Sequence, residues 1–245
     1  MRPIRKGESP QDDDFEDYKD AKPELISRLG SYCSYCERRI ATNLAVEHIQ
    51  PKALAAYKQL EGRWENFLLG CVNCNSTKSK KDVQLDHILL PDRDNTFAAF
   101  DYLADGTIAV SSQAEDAGKK QQAEDTLALT GLEKRVSEVL DENGNRVAID
   151  RVSQRLQARL IAESSLEDLL MTPGNEALRR SITRNAISEG FFSIWMTVFQ
   201  DDADMCNRLI DAFPGTRDSG CFDPASGSSV SPAPNPDGLT GGGEI

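Results

Sequence analysis

The sequence predicts an α+β protein, and three observations lead to that assignment. Four cysteines fall in two C-x-x-C pairs, Cys33/Cys36 and Cys71/Cys74, separated by a segment long enough to hold structure of its own. Short apolar runs bounded by Pro, Gly and Asn occur around residues 44–49 and through 83–115, which is a strand-and-turn signature. From about Gly118 the apolar residues move to helical spacing. The 245 residues suit one large domain or two smaller ones. The pattern divides them into an N-terminal arm and helix (1–29), a cysteine-bearing module (30–115), a mainly helical C-terminal part (116–222) and a tail (223–245). The tail is rich in Ser, Pro and Gly and is expected to be disordered by composition.

Residues 1–24 are polar and include the run Asp12-Asp13-Asp14-Phe15-Glu16-Asp17. They read as a solvated arm that turns helical toward Leu25–Leu29. Each cysteine pair sits in turn-forming company, Ser-Tyr-Cys-Ser-Tyr-Cys and Gly-Cys-Val-Asn-Cys-Asn. One tight turn of this spacing presents two thiolates to one ion, and two such turns complete the tetrahedral set that Zn²⁺ prefers. A structural zinc contributes roughly 10–16 kcal/mol to a small folding unit. Disulfides fit poorly, because nothing marks the chain as secreted.

Between the pairs, Leu44 to Ile49 reads as a short strand ended by Pro51. It carries Glu47 and His48. Neighbours on a strand point to opposite faces, so these two could address one ion only near a strand end or a bulge. Trp64 and Phe67 are expected core anchors, and Asn66 can clamp a loop through its amide. After Cys74, Asn75 to Lys81 has the character of a helix start. Asn75 either caps that helix or turns its oxygen toward a hard cation such as Mg²⁺.

Farther on, His87 precedes Pro91 and Asp92 and reads as a strand edge before a turn. A metal or phosphate role for it has no ligand spacing behind it. Phe97–Tyr102 and Gly106–Val110 read as strands that extend the sheet or wrap the module. Leu127, Leu129 and Leu132 lead toward a helix start near Leu132, and residues 141–145 form a turn signal. Arg151 to Leu170 has helical spacing and is broken at Pro173-Gly174-Asn175. Phe191 to Phe199 is the most apolar stretch and reads as a buried helix. Cys206 and Cys221 lack the paired spacing and read as incidental thiols.

The formal net charge is −12. That is unusual for a binder of nucleic acid, whose affinity comes largely from cations on phosphate. The distribution is uneven: residues 33–81 hold eight basic side chains against four acidic ones. A locally basic face on an acidic body suggests weak grip by the chain alone, with either a partner supplying the rest or the acidity serving only solubility. There is no apolar run of the roughly 18 residues needed to span a membrane. The start lacks an apolar signal core, so a cytoplasmic location is expected.

The string C-S-Y-C…V-E-H-I-x-P-K…W-x-N-F-L-L-x-C-x-x-C-N-x-x-K resembles the HNH nuclease family in its four-cysteine zinc form. The resemblance spans Cys33 to about Lys81 and implies a ββα-metal fold around one catalytic divalent ion, Mg²⁺ or Mn²⁺. Carried over by position, it makes His48 the general base and Glu47 an acidic metal ligand. Asn66 becomes the residue that holds the loop, Asn75 a second metal ligand, and Lys78 a phosphate contact. Glu at 47 and Asn at 75 depart from the commoner Asp and His. Oxygen donors favour hard cations.

The chain also resembles the HNH proteins of retron and Septu-type (PtuB-like) anti-phage systems, through its Ile-x-Lys-Gly-x-x-Pro start and its Ala-Phe-Pro-Gly-Thr segment. That resemblance implies an ATPase partner of the ABC/SMC-like kind. DNA is the favoured substrate. An RNase of the same fold, such as one cleaving tRNA, and a catalytically silent adaptor are the alternatives.

Overall fold

A computed structural model describes residues 1–134, 139–140, 146–148 and 151–245. Helix α1 (Lys22–Leu29) has Pro23 in its first turn, where a missing N–H costs nothing, and buries Leu25 and Leu29. Strands β1 (Ala45–His48) and β2 (Phe67–Gly70) pair antiparallel, with Ala45 opposite Gly70 and His48 opposite Phe67. All four residues of β2 are buried. Helix α2 (Val72–Lys78) follows at once, so the unit is strand, strand, helix.

The sequence expectation of a helix start at Asn75 is corrected here. The Cys71 sulfur accepts from the Cys74 N–H and caps the helix, which therefore begins at Val72. Asn75 lies inside the helix instead of ahead of it.

Strands β3 (Phe100–Tyr102) and β4 (Ile108–Val110) form a separate antiparallel hairpin and do not extend the first sheet. Helices α3 (Ser112–Asp116) and α4 (Lys120–Thr130) come next. Helix α4 ends at Gly131 with φ 65°, a left-handed turn that glycine adopts without strain. Leu132 therefore follows a helix and does not begin one. The short pair β5 (Val139–Leu140) and β6 (Arg146–Ala148) is antiparallel. The turn expected at 141–145 lies outside the described residues.

Helix α5 (Arg151–Met171) matches the predicted span, and Pro173 to Asn175 ends it. The Asn175 side chain then caps helix α6 (Glu176–Glu189) through the Leu178 N–H at 3.0 Å. Helices α7 (Phe192–Val198) and α8 (Ala203–Ala212) complete the helical half. Two apolar cores result. The first gathers Leu25, Phe67, Leu68, Leu69 and Leu89 around the first hairpin. The second gathers Phe192, Trp195, Phe199, Leu209 and Phe213. Ile194 on α7 belongs to the first core and Trp195 to the second, so this buried helix joins them. Among the described residues, no helix is long and apolar enough to cross a membrane.

Both chain ends differ from expectation. Met1, Arg2, Ile4 and Lys6 are buried, and continuous exposure is confined to the acidic stretch around residues 10–14. The reason is apolar burial of Met1 and Ile4, together with cations that find partners inside. Arg2 donates to the Leu29 carbonyl (2.7 Å), and Lys6 to the Phe67 carbonyl (2.6 Å). The tail has no helix or strand, as its composition implies, but it is bound to the body. The Ile245 carbonyl accepts from the Asn95 and Ala233 N–H groups at 3.0 and 2.8 Å. The Asn95 amide donates to the Cys221 and Val230 carbonyls. One buried side chain thus holds backbone groups that composition alone assigns to water.

Lys6 also pairs with Asp92 (3.0 Å), which Arg93 contacts from the other side (3.0 Å), and all three are buried. Burial works to raise the Asp92 pKa, but Arg93 and Lys6 outweigh it and hold it at about 2. A pKa depressed on folding contributes stability above the unfolded value and loses it as pH falls through the folded value. We expect Asp92→Asn to cost about 3–5 kcal/mol at pH 7, the usual cost of orphaning buried charges. That cost should shrink as pH falls from about 4 to about 2. Urea melts of both proteins across this range would test it, and a pH-independent difference would contradict it.

Candidate metal centre

The two C-x-x-C turns meet at one end of the first hairpin. The four sulfurs of Cys33, Cys36, Cys71 and Cys74 lie within 4.8 Å of one another, and all four residues are buried. Cys36 and Cys71 place their sulfurs 3.7 Å apart. A tetrahedral ion with Zn–S bonds of about 2.3 Å sets its sulfurs about 3.8 Å apart, so the cluster has the right size and donor chemistry. Among the described residues, this is the one group of three or more Cys, His, Asp or Glu side chains gathered at ligand distance.

Crowding divides the thiols. Burial pushes Cys33 up, and contact with the other sulfurs pushes Cys74 up, whereas the same contacts hold Cys36 and Cys71 down. Two guanidinium groups face the cluster: Arg38 Nη2 at 3.3 Å from the Cys71 sulfur, and Arg151 Nη1 at 3.5 Å from that of Cys74. Burial opposes the Arg38 charge, but the neighbouring sulfurs outweigh it and raise its pKa. Four thiolates on one divalent ion leave two negative charges, which these arginines can offset. Cys206 and Cys221 sit apart in or beside the second core, and burial pushes both thiols to about 11.

Immediately beyond the cluster, β1 and α2 bring Glu47, Asn75 and Lys78 together. Gly70 marks the meeting point. A Cβ built there would lie 2.9 Å from Asn75 Oδ1 and 3.1 Å from Glu47 Cβ, so any side chain would fill this space. Asn75 Oδ1 is buried and accepts no hydrogen bond. Glu47 Oε1 is buried and paired with Lys78 Nζ at 2.8 Å. Burial raises the Glu47 pKa, and Lys78 partly counters it. A buried amide oxygen without a hydrogen bond, beside a buried carboxylate, calls for an explanation, and a bound cation is one. As hard donors they fit an oxygen-seeking divalent ion.

His48 is the last residue of β1, and its ring has different neighbours. It stands edge-on to Phe67 (centroids 5.3 Å) and Tyr18 (4.7 Å). Its Nε2 lies 2.9 Å from the Glu61 carbonyl. A carbonyl only accepts, so Nε2 carries the proton and Nδ1 keeps a lone pair. Burial lowers the His48 pKa, the Glu61 carbonyl opposes it, and Lys52 lowers it further. The regular register of β1 leaves the ring on the face away from Glu47, and only the backbone of His48 joins the Glu47 group, through Lys78 Nζ to its carbonyl at 2.7 Å.

The remaining candidates divide as follows. Asn66 bonds both backbone groups of Gln50, accepting at 2.8 Å and donating at 3.0 Å, and also reaches the Leu60 carbonyl. It ties together the ends of the 50–66 loop. Lys78 is 2 % exposed and turned inward, away from any surface where a phosphate contact could form. His87 ends a short 3₁₀ turn and is exposed beside Asp86. Sequence reasoning missed Gly70, Tyr18, Glu61, Arg38 and Arg151. Only Arg38, two residues past a cysteine, carried a local signal.

Residues 33–81 match the family model for HNH endonuclease. The HNH match begins at the first cysteine and ends just past α2. It therefore covers both cysteine turns, the hairpin, the 50–66 loop and the helix, and none of the helical half. It supports a nuclease with a nucleic-acid substrate. A search of curated proteins finds no match to the chain.

The metal cluster of the HNH segment is testable directly. Structural zinc worth roughly 10–16 kcal/mol matches or exceeds the whole stability of a typical domain, about 5–15 kcal/mol. Cys71→Ser should therefore lose one bound ion per chain and unfold the segment. Metal content by mass spectrometry and a thermal melt would check this, and an unchanged melting temperature would count against the cluster as a metal site.

Proposed function

We propose that this protein is a metal-dependent endonuclease that hydrolyses nucleic-acid phosphodiester bonds, with DNA the favoured substrate. The observation that supports this best is the buried amide oxygen of Asn75, which lacks a hydrogen bond and lies beside the Glu47 carboxylate at the space next to Gly70. A binding module gains nothing from burying an unpaired oxygen, at a desolvation cost of about 1–3 kcal/mol. This weighs against the adaptor reading. An RNase would need a group that reads the 2′-hydroxyl, and no candidate residue suggests one.

In this reading the four cysteines would hold a structural zinc, and Glu47 and Asn75 would hold Mg²⁺ or Mn²⁺, which when bound would supply charge neutralisation for phosphodiester hydrolysis. The chain's own residues do the rest. His48 ends β1 with its ring on the face away from Glu47, so this reading requires base and ion to meet one phosphodiester around the strand end, where His48 takes a proton from water at Nδ1, its tautomer set by the Glu61 carbonyl. Asn66 keeps the 50–66 loop, and with it Glu61, in place. Lys78 balances the Glu47 carboxylate from inside and orders the backbone at His48.

The resemblance to retron- and Septu-associated proteins extends the proposal to an effector of anti-phage defence in the cytoplasm, working with an ABC/SMC-like ATPase. The acidic body agrees with a partner that supplies much of the grip on substrate.

His48→Ala should keep the fold and the zinc and lower cleavage on the order of 10²–10⁴-fold, the usual contribution of a general base. Cleavage of plasmid, single-stranded DNA and tRNA, with and without Mg²⁺, ATP and the partner, is the assay. Wild-type rates from a zinc-replete variant would end the assignment.

A further inference from the structure

The acidic run near the start of the chain lies across the 50–66 loop beside His48. Phe15 anchors it. Its N–H donates to the Gly62 carbonyl (2.9 Å), and its ring stacks on Trp64 (6.1 Å) and packs against Phe67 (6.0 Å). The contact is tight enough that a Cβ at position 62 would sit 2.2 Å from the Phe15 carbonyl oxygen. One residue earlier, Asp14 pairs with Arg63 at 3.0 Å. Three residues later, Tyr18 covers the His48 ring, and the Lys52 ammonium lies 3.8 Å from the Tyr18 ring centroid.

Phe67 is fully buried behind His48, so Tyr18 takes the outward side of the imidazole, the side from which a phosphodiester would come. With Tyr18 in place, His48 is only 8 % exposed. The cations of the loop are already matched by acids: Arg63 by Asp14, and Lys52 and Lys58 by Glu61. Residues 12–20 hold six carboxylates and one lysine. The Asp14–Arg63 pair is about half exposed on both sides, and such pairs are weak and salt-sensitive. A denser polyanion can displace it.

We propose that Arg63 is a phosphate-binding point beside His48, and that residues 12–20 occupy it through Asp14 as an intramolecular polyanion competing with nucleic acid. This rests on the nuclease reading above. Neutralising the strap frees about one phosphate contact, which steepens the fall of log K with log salt by about 0.9.

The test uses the full chain, a short labelled DNA duplex without added divalent ion, and fluorescence anisotropy over a salt series. The strap variant is Asp12→Asn/Asp13→Asn/Asp14→Asn/Asp17→Asn, all exposed positions. The control neutralises the same number of exposed acids elsewhere, Asp116→Asn/Glu167→Gln/Asp168→Asn/Asp201→Asn. The strap variant should bind about tenfold tighter at low salt with a steeper salt slope. The control should gain clearly less, and adding Arg63→Ala to the strap variant should remove the gain. Equal binding by strap and control variants, or a gain that survives Arg63→Ala, would overturn the proposal. Tyr18→Ala uncovers His48 without changing charge and should speed Mg²⁺-dependent cleavage, and an unchanged rate would also count against the strap. A binding gain with no cleavage by any variant would remove the nuclease reading and keep the competitor. Cleavage by the wild type without a binding gain would do the reverse.

Discussion

Four sulfurs brought within 4.8 Å of one another inside a protein create a problem of charge that the rest of the HNH segment is arranged around. A single divalent ion that took all four as thiolates would resolve it. Arg38 and Arg151 supply further positive charge from outside the cluster. Arg151 begins α5, so the helical half reaches the metal centre directly. Glu37, next to Cys36, accepts from the Ser193 N–H and hydroxyl on α7 and ties the first cysteine turn to the same half. The metal cluster thus anchors both cores.

Capping links this cluster to the chemistry. The Cys71 sulfur holds the start of α2, and the helix phase that follows points Asn75 at Gly70 and Glu47, with Lys78 one turn later closing on the same carboxylate. Had the helix begun at Asn75, that amide would have been a cap, with its oxygen engaged by backbone N–H groups. Starting it at Val72 frees the oxygen for a ligand. On the other face of β1, His48 is governed by loop backbone instead: Glu61 sets its tautomer and Asn66 holds that loop closed. Two separately supported groups flank one strand, and the acidic strap covers one of them.

In the helical half, the apolar stretch at Phe191–Phe199 packs into the two cores, whereas Leu160, Leu170 and Met171 on α5 are exposed. The acidity of the chain is more specific than net charge suggests, because part of it is spent at Arg63 beside the site.

The cysteine turns, the Glu47–His48 strand, the core roles of Trp64 and Phe67, the Asn66 clamp and helix α5 were all legible in the sequence. Each depends on local spacing or on a side chain bonding to backbone close by. Only the tertiary structure decided that Lys78 turns inward, that α2 starts at a cysteine, and that both chain ends fold back onto the body. It likewise decided that Tyr18 and Asp14 lie over His48 and Arg63. These outcomes depend on contacts between residues far apart in the chain, where burial and charge pairing outweigh composition, and no periodicity in one dimension encodes them.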